Sequence, residues 1–119
     1  MNVFFDVQGP LVSGGRPRPH AREVFQEIER LGHHVYLWSS GGSAYAARAA
    51  KLLNLGDIAY GCFGKTSSLP VTVDFVVDDQ PHLVHEHGGY HIAPFDGDPE
   101  DRELLDVVEA VRRADGSGL

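Results

Sequence analysis

The chain reads as an α/β protein: a three-layer, doubly wound and mostly parallel sheet with no cap domain. Three observations predict this. Short unbroken apolar runs, VFF, VYLW and FVV, mark strands buried on both faces, as parallel strands are. Amphipathic segments of helical length stand between them, and a polar side chain closes each run at its carboxyl end, where such sheets carry their chemistry.

The elements follow in order. VFF (3–5) is the first strand, ending in Asp6 and stopped by Gly9-Pro10, and the Gly/Pro-rich stretch VSGGRPRP (12–19) reads as a loop. In PHAREVFQEIERLG (19–32), Ala21, Val24, Phe25, Ile28 and Leu31 recur at helical spacing until Gly32. HVYLW (34–38) is a second buried strand. SSGGSAYAARAAKLLNLG (39–56) opens with serines and glycines before an alanine-rich helix reaching about Leu53. IAYGCF (58–63) reads as a short third strand, VDFVV (73–77) as a fourth, PHLVHEHGG as a short helix closed by Gly88-Gly89, and YHIAPF (90–95) as a last strand. The final helix, DPEDRELLDVVEAVRR (98–113), places a proline and acids in its first turn and Arg112 and Arg113 at its end, which suits the helix dipole, with Leu104, Leu105, Val108 and Val111 on one face. Alternation of strand and helix implies helices on both faces of the sheet.

At 119 residues, 42% of them hydrophobic, the chain has the size of one domain, taken as 1–114 with a disordered tail at 115–119. The formal charge of -7 leaves no electrostatic footprint for a nucleic-acid backbone or an anionic membrane. Cys62 stands alone, so no internal disulfide forms, and no apolar run approaches the roughly 20 residues that span a bilayer. With a strand signal at the N-terminus in place of a leader, a cytoplasmic location is the expectation.

The strand-end residues carry the chemistry. Asp6 follows the first strand, Ser39 and Ser40 the second, Lys65 the third, and Asp78 and Asp79 the fourth. A doubly wound sheet brings these ends to one crevice, so three carboxylates, hydroxyls and one ammonium converge. Acids supply hard oxygen ligands for Mg²⁺; Lys65, a serine hydroxyl and the free amides at a helix start supply the field for a phosphoryl group. Ser39 and Ser40 fit a helix-capping role equally well. His82, His85, His87 and His91 straddle a helix, its end and the next strand with no cysteine beside them, and read as solvated. Tyr36 and Trp38 read as core, and Cys62 as a small buried apolar residue.

Four ordered motifs, VFFDVQGPL, VYLWSS, FGK and DFVVDD, resemble those of the haloacid dehalogenase-like superfamily of phosphohydrolases over residues 2 to about 97. The resemblance implies that Asp6 is nucleophile and Mg²⁺ ligand, that Ser39 and Lys65 hold the phosphoryl group, and that Asp79, with Asp78 beside it, completes the metal site. It also implies a metal contact from the backbone carbonyl of Gln8. Phosphatases of that family carry a second Asp two residues after the nucleophile, then Gly-Thr; here those positions are Gln8 and Pro10. An amide neither protonates an alkoxide nor deprotonates water, and losing a general acid/base typically costs about 10² to 10⁴-fold. Related dehalogenases lack that acid too, but carry an aromatic residue at the position of Gln8 and a cap.

Only 32 residues separate Asp6 from Ser39 and only 12 separate Lys65 from Asp78, so neither gap holds a lid domain. An open site would admit a phosphorylated small molecule or macromolecule, or be covered by another subunit of an oligomer. Arg16 or Arg18 in the 12–19 stretch would be the local contact to phosphate, or simply solvated. Two further readings stand beside a slow phosphohydrolase. One is a catalytically inactive relative that binds Mg²⁺ and phosphate or a protein partner. The other is a response-regulator receiver, disfavoured because its acid pair should end the first strand and its phosphoacceptor the third.

Overall fold

The structure is a computed structural model that describes residues 1–66 and 68–116. Its elements are β1 (Asn2–Asp6), β2 (Val12–Ser13), β3 (Arg16–Pro17), α1 (Ala21–Arg30), β4 (His34–Ser39), α2 (Ser43–Leu52), β5 (Gly61–Gly64), β6 (Phe75–Asp78), α3 (Pro81–His87), β7 (Gly89–His91) and α4 (Glu103–Asp115). Five strands form one sheet in the order β5-β4-β1-β6-β7, every pair parallel. This is a Rossmann-like α/β architecture, with β1 at the centre. The chain winds outward from β1 through β4 to β5, then returns to the other side of β1 for β6 and β7. The winding therefore reverses between β1 and β6, and the crevice beyond their carboxyl ends is the switch point at which such sheets bind ligands.

Right-handed crossovers put helices from the two winding directions on opposite faces. Val3, Phe5, Leu37 and Val77 meet Val24, Phe25 and Ile28 of α1, Ala46 and Ala50 of α2, and Leu104, Val107 and Val111 of α4 in the principal core. Phe4, Tyr36, Trp38 and Val76 point the other way into a much smaller core, backed by Leu83 and Val84 of α3 and by Leu69, Val71 and Val73. Helices do flank both faces, but unequally, because α3 alone belongs to the second direction and has seven residues, none of them buried. Phe4 stacks on Tyr36 at 4.8 Å between ring centroids and lies tilted against Trp38 at 4.9 Å. Each such side chain contributes about 1.5–3 kcal/mol by leaving water.

Several boundaries differ from the sequence reading. The 12–19 stretch is a hairpin, with Gly14 and Gly15 both at positive φ as a two-residue turn between twisted strands requires. The third strand begins at Gly61, after a turn at 56–58, and β7 stops at His91, although Ile92 and Phe95 are buried. Their apolar character serves packing instead of a ladder. The face of α4 is Leu104, Val107, Val108 and Val111, with Leu105 at its margin. Helix α4 begins only at Glu103, because the Asp98 and Asp101 carboxylates accept the N–H groups of Glu100 and Glu103 in turns ahead of it, and it runs through Asp115, inside the expected tail, where the Asp115 carboxylate meets buried His33 at 2.5 Å. The rest of the tail from Ser117 lies outside the described residues. Cys62 is only half-buried, though burial still raises its thiol pKa. Among the described residues no helix is long and apolar enough to cross a membrane.

Candidate functional site

Asp6 closes β1 and Asp78 closes β6, its neighbour, so hydrogen bonding of the two strands delivers both carboxylates to the switch-point crevice. Asp79 follows where the chain leaves the sheet. Lys65 starts from the end of β5, two strands away, and its backbone N–H donates to the carbonyl of Ser39 at 3.0 Å. From there the ammonium reaches across β4 to Asp6 Oδ1 at 3.0 Å and Asp78 Oδ2 at 2.9 Å. The second oxygen of Asp78 accepts the Gln80 N–H at 2.9 Å, which fixes the carboxylate of a fully buried side chain. Gly9 is required by the same geometry: its φ is +100°, and a Cβ there would collide with the Asp79 carboxylate.

One ammonium does not neutralise three acids. Burial pushes the Asp6 pKa from 3.8 up to about 7; Lys65 opposes the shift, while Asp78 and Asp79 add to it. Asp79 is raised as well, by burial and by its hydrogen bond with Asp78. Burial works against the Lys65 ammonium, yet bonding to Asp78 and Asp6 outweighs it and holds its pKa above the usual value. One oxygen from each of Asp6, Asp78 and Asp79 lies within 4.8 Å of the others. These three acids form a cluster able to hold a metal ion: the donors are all oxygen, and the surplus negative charge is what a hard cation relieves.

Ser39 is buried and at the same edge, but it caps nothing: the N-cap of α2 is Gly42, and Ser39 Oγ instead accepts the Gly41 N–H at 3.0 Å. Ser40 is exposed and does not cap α2 either. Arg18 is not available to a ligand. Its guanidinium is buried beneath the hairpin, donating to Asp101 at 2.8 and 3.0 Å, to the carbonyl of Ala93 at 2.8 Å and to that of Pro10 at 3.2 Å. Arg16 stays exposed beside Gly97. Among the described residues the histidines contribute to no metal cluster; His91 Nε2 lies 3.0 Å from the carbonyl of Asp79.

Two features escaped the sequence reading. Tyr45, in the first turn of α2, donates its hydroxyl to Gln8 Oε1 at 2.9 Å, so the Gln8 amide is held in place. The only signal was a lone aromatic on an alanine-rich helix. The second is a cavity of about 640 Å³ that begins at Lys65 and runs over Trp38 between α3 and the side chains of Leu69, Val71 and Val73. No family model, curated protein or solved structure matches this chain.

Proposed function

We propose that the protein is a Mg²⁺-dependent phosphohydrolase of the haloacid dehalogenase-like kind, working through an aspartyl-phosphate on Asp6. The observation that carries this reading is the placement of Asp6 at the carboxyl end of the central strand, in contact with Lys65 and beside Asp78 and Asp79. Mg²⁺ held by Asp6, Asp78, Asp79 and the backbone carbonyl of Gln8 would supply positive charge against the phosphoryl oxygens. An oxygen of ionised Asp6 attacks phosphorus as the bond to the leaving oxygen breaks, and the electron pair departs with that oxygen. Lys65, with Ser39 and Ser40 at the start of the loop before α2, orients the transferred group. Water then attacks phosphorus, releasing inorganic phosphate and the Asp6 carboxylate, with the water's proton passing to the phosphate or to solvent.

Gln8 sets the limits of this chemistry. With no titratable group at position 8, the leaving oxygen departs unprotonated, so aryl and acyl phosphates react and alkyl phosphates do not, and the aspartyl-phosphate accumulates. Incubation with acetyl phosphate and Mg²⁺ followed by intact mass spectrometry should show one added phosphoryl group, absent from Asp6→Asn and from the parent in EDTA. An unmodified parent would refute the reading. The Tyr45–Gln8 hydrogen bond favours a second one, in which the site binds Mg²⁺ and phosphate, or a phosphorylated partner, without turnover: a held, uncharged amide suits binding better than proton transfer. Mg²⁺-dependent stabilisation with no phosphoryl adduct would select it.

A further inference from the structure

The cavity that opens beside Lys65 contains none of the three acids of the metal cluster. It is bounded by Trp38 on the sheet, Leu69 and Val71 on the segment before β6, and Leu83 and Glu86 on α3. Its volume, about 640 Å³, lies in the range of small-ligand sites and far exceeds what a phosphate fills. Lys65 belongs to both places: its ammonium bonds Asp6 and Asp78, and the same Nζ lies 5.8 Å from the centroid of the Trp38 ring. Trp38 is itself 3% exposed, and its indole N–H is a buried donor without an acceptor among the described residues.

We infer that this cavity is the leaving-group pocket and that it takes an aromatic ring, which makes aryl phosphate monoesters the substrate class. The inference rests on the reading of Asp6 as phosphoryl acceptor and adds what lies on the other side of the breaking bond. Two independent observations converge on it. Leu69, Val71, Val73 and Leu83 set around an indole suit an aromatic ring, while Thr72, His82 and Glu86 in the same walls offer polar contacts to its substituents. Gln8, meanwhile, cannot protonate a departing alkoxide, whereas a phenolate leaves with the electron pair of the broken P–O bond and needs no proton. The ring would lie on the Trp38 side of Lys65 and the phosphoryl group on the Asp6 side.

Trp38 is the only tryptophan in the chain, so its fluorescence reports on the pocket directly. With saturating Mg²⁺, phenylphosphonate, whose P–C bond resists hydrolysis, should change the emission saturably, and methylphosphonate should bind at least 10-fold more weakly. Leu69→Asp and Leu83→Ala, on opposite walls, should each weaken phenylphosphonate about 10-fold in protein that melts cooperatively. Equal affinity for the two phosphonates, or wild-type affinity in both folded variants, would overturn the pocket. The acetyl phosphate adduct separates the two ideas. An adduct without phenyl preference refutes the pocket alone, whereas phenyl preference without an adduct refutes the Asp6 chemistry and with it the leaving-group role, and reduces the cavity to an aryl-binding site.

Discussion

Asp6→Asn should make the metal-free protein more stable, although it removes an ion pair. Asn has nearly the shape of protonated Asp, so the gain equals the free energy by which the fold disfavours the ionised form. A pKa of about 7 against an ordinary 3.8 is a difference of about 3 units, or roughly 4 kcal/mol at 1.36 kcal/mol per unit. The sign follows from proton binding. Between pH 4 and 7 the native carboxyl holds a proton that the unfolded one has released, so parent stability falls as pH rises through that window and levels off above it. In EDTA the variant should match the parent near pH 4 and exceed it by up to about 4 kcal/mol at pH 8. Urea unfolding at several pH values measures this, since a single domain of this size unfolds in one step. Asp101 does not blur the window: its hydrogen bond to Arg18 holds it below the usual carboxylate range, so its contribution is present at neutral pH and is lost only in stronger acid. A variant less stable than the parent at pH 8, or a gain independent of pH, would show that the acid cluster is not a strained, cation-seeking site.

Two further substitutions probe the surroundings. Gln8→Asp should raise alkyl phosphate hydrolysis by about 10² or more at saturating Mg²⁺, an effect abolished by adding Asp6→Asn; steady-state rates on an alkyl ester decide it, and an inert, folded, Mg²⁺-binding variant would favour the binding-only reading. Arg18→Ala should cost about 3 kcal/mol by urea unfolding, because it strands Asp101 and two backbone carbonyls beneath the hairpin, and a loss below about 1 kcal/mol would mark the network as incidental.

The central strands were legible because burial on both faces makes VFF, VYLW and FVV unbroken apolar runs, and the Asp6, Ser39 and Asp78 that close them are placed by the same runs. Arg18 was misplaced for the converse reason. A Gly/Pro-rich stretch looks solvated until tertiary structure folds Asp101 and Ala93 over it from more than 70 residues away. The hairpin carried a Gly-Gly signal, but strands of two residues are too short for alternation to register. Tyr45 at Gln8 and the cavity walls depend on distances between elements, and spacing along the chain does not encode them.

The unequal covering of the sheet sets an order in which the molecule opens. Strand β1 is hydrogen-bonded on both sides and its residues Val3, Phe4 and Phe5 are wholly enclosed, so its amides exchange with solvent deuterium only when the whole domain unfolds. Helix α3, two turns long and with no enclosed residue, can detach while the principal core stays intact. Its amides should exchange many times faster than those of β1. The group that would take the phosphate is thus anchored in the last part of the protein to yield, while one wall of the neighbouring cavity belongs to the first. Ligands too large for the resting cavity would gain entry by sub-global opening at α3, without disturbing the alignment of Asp6.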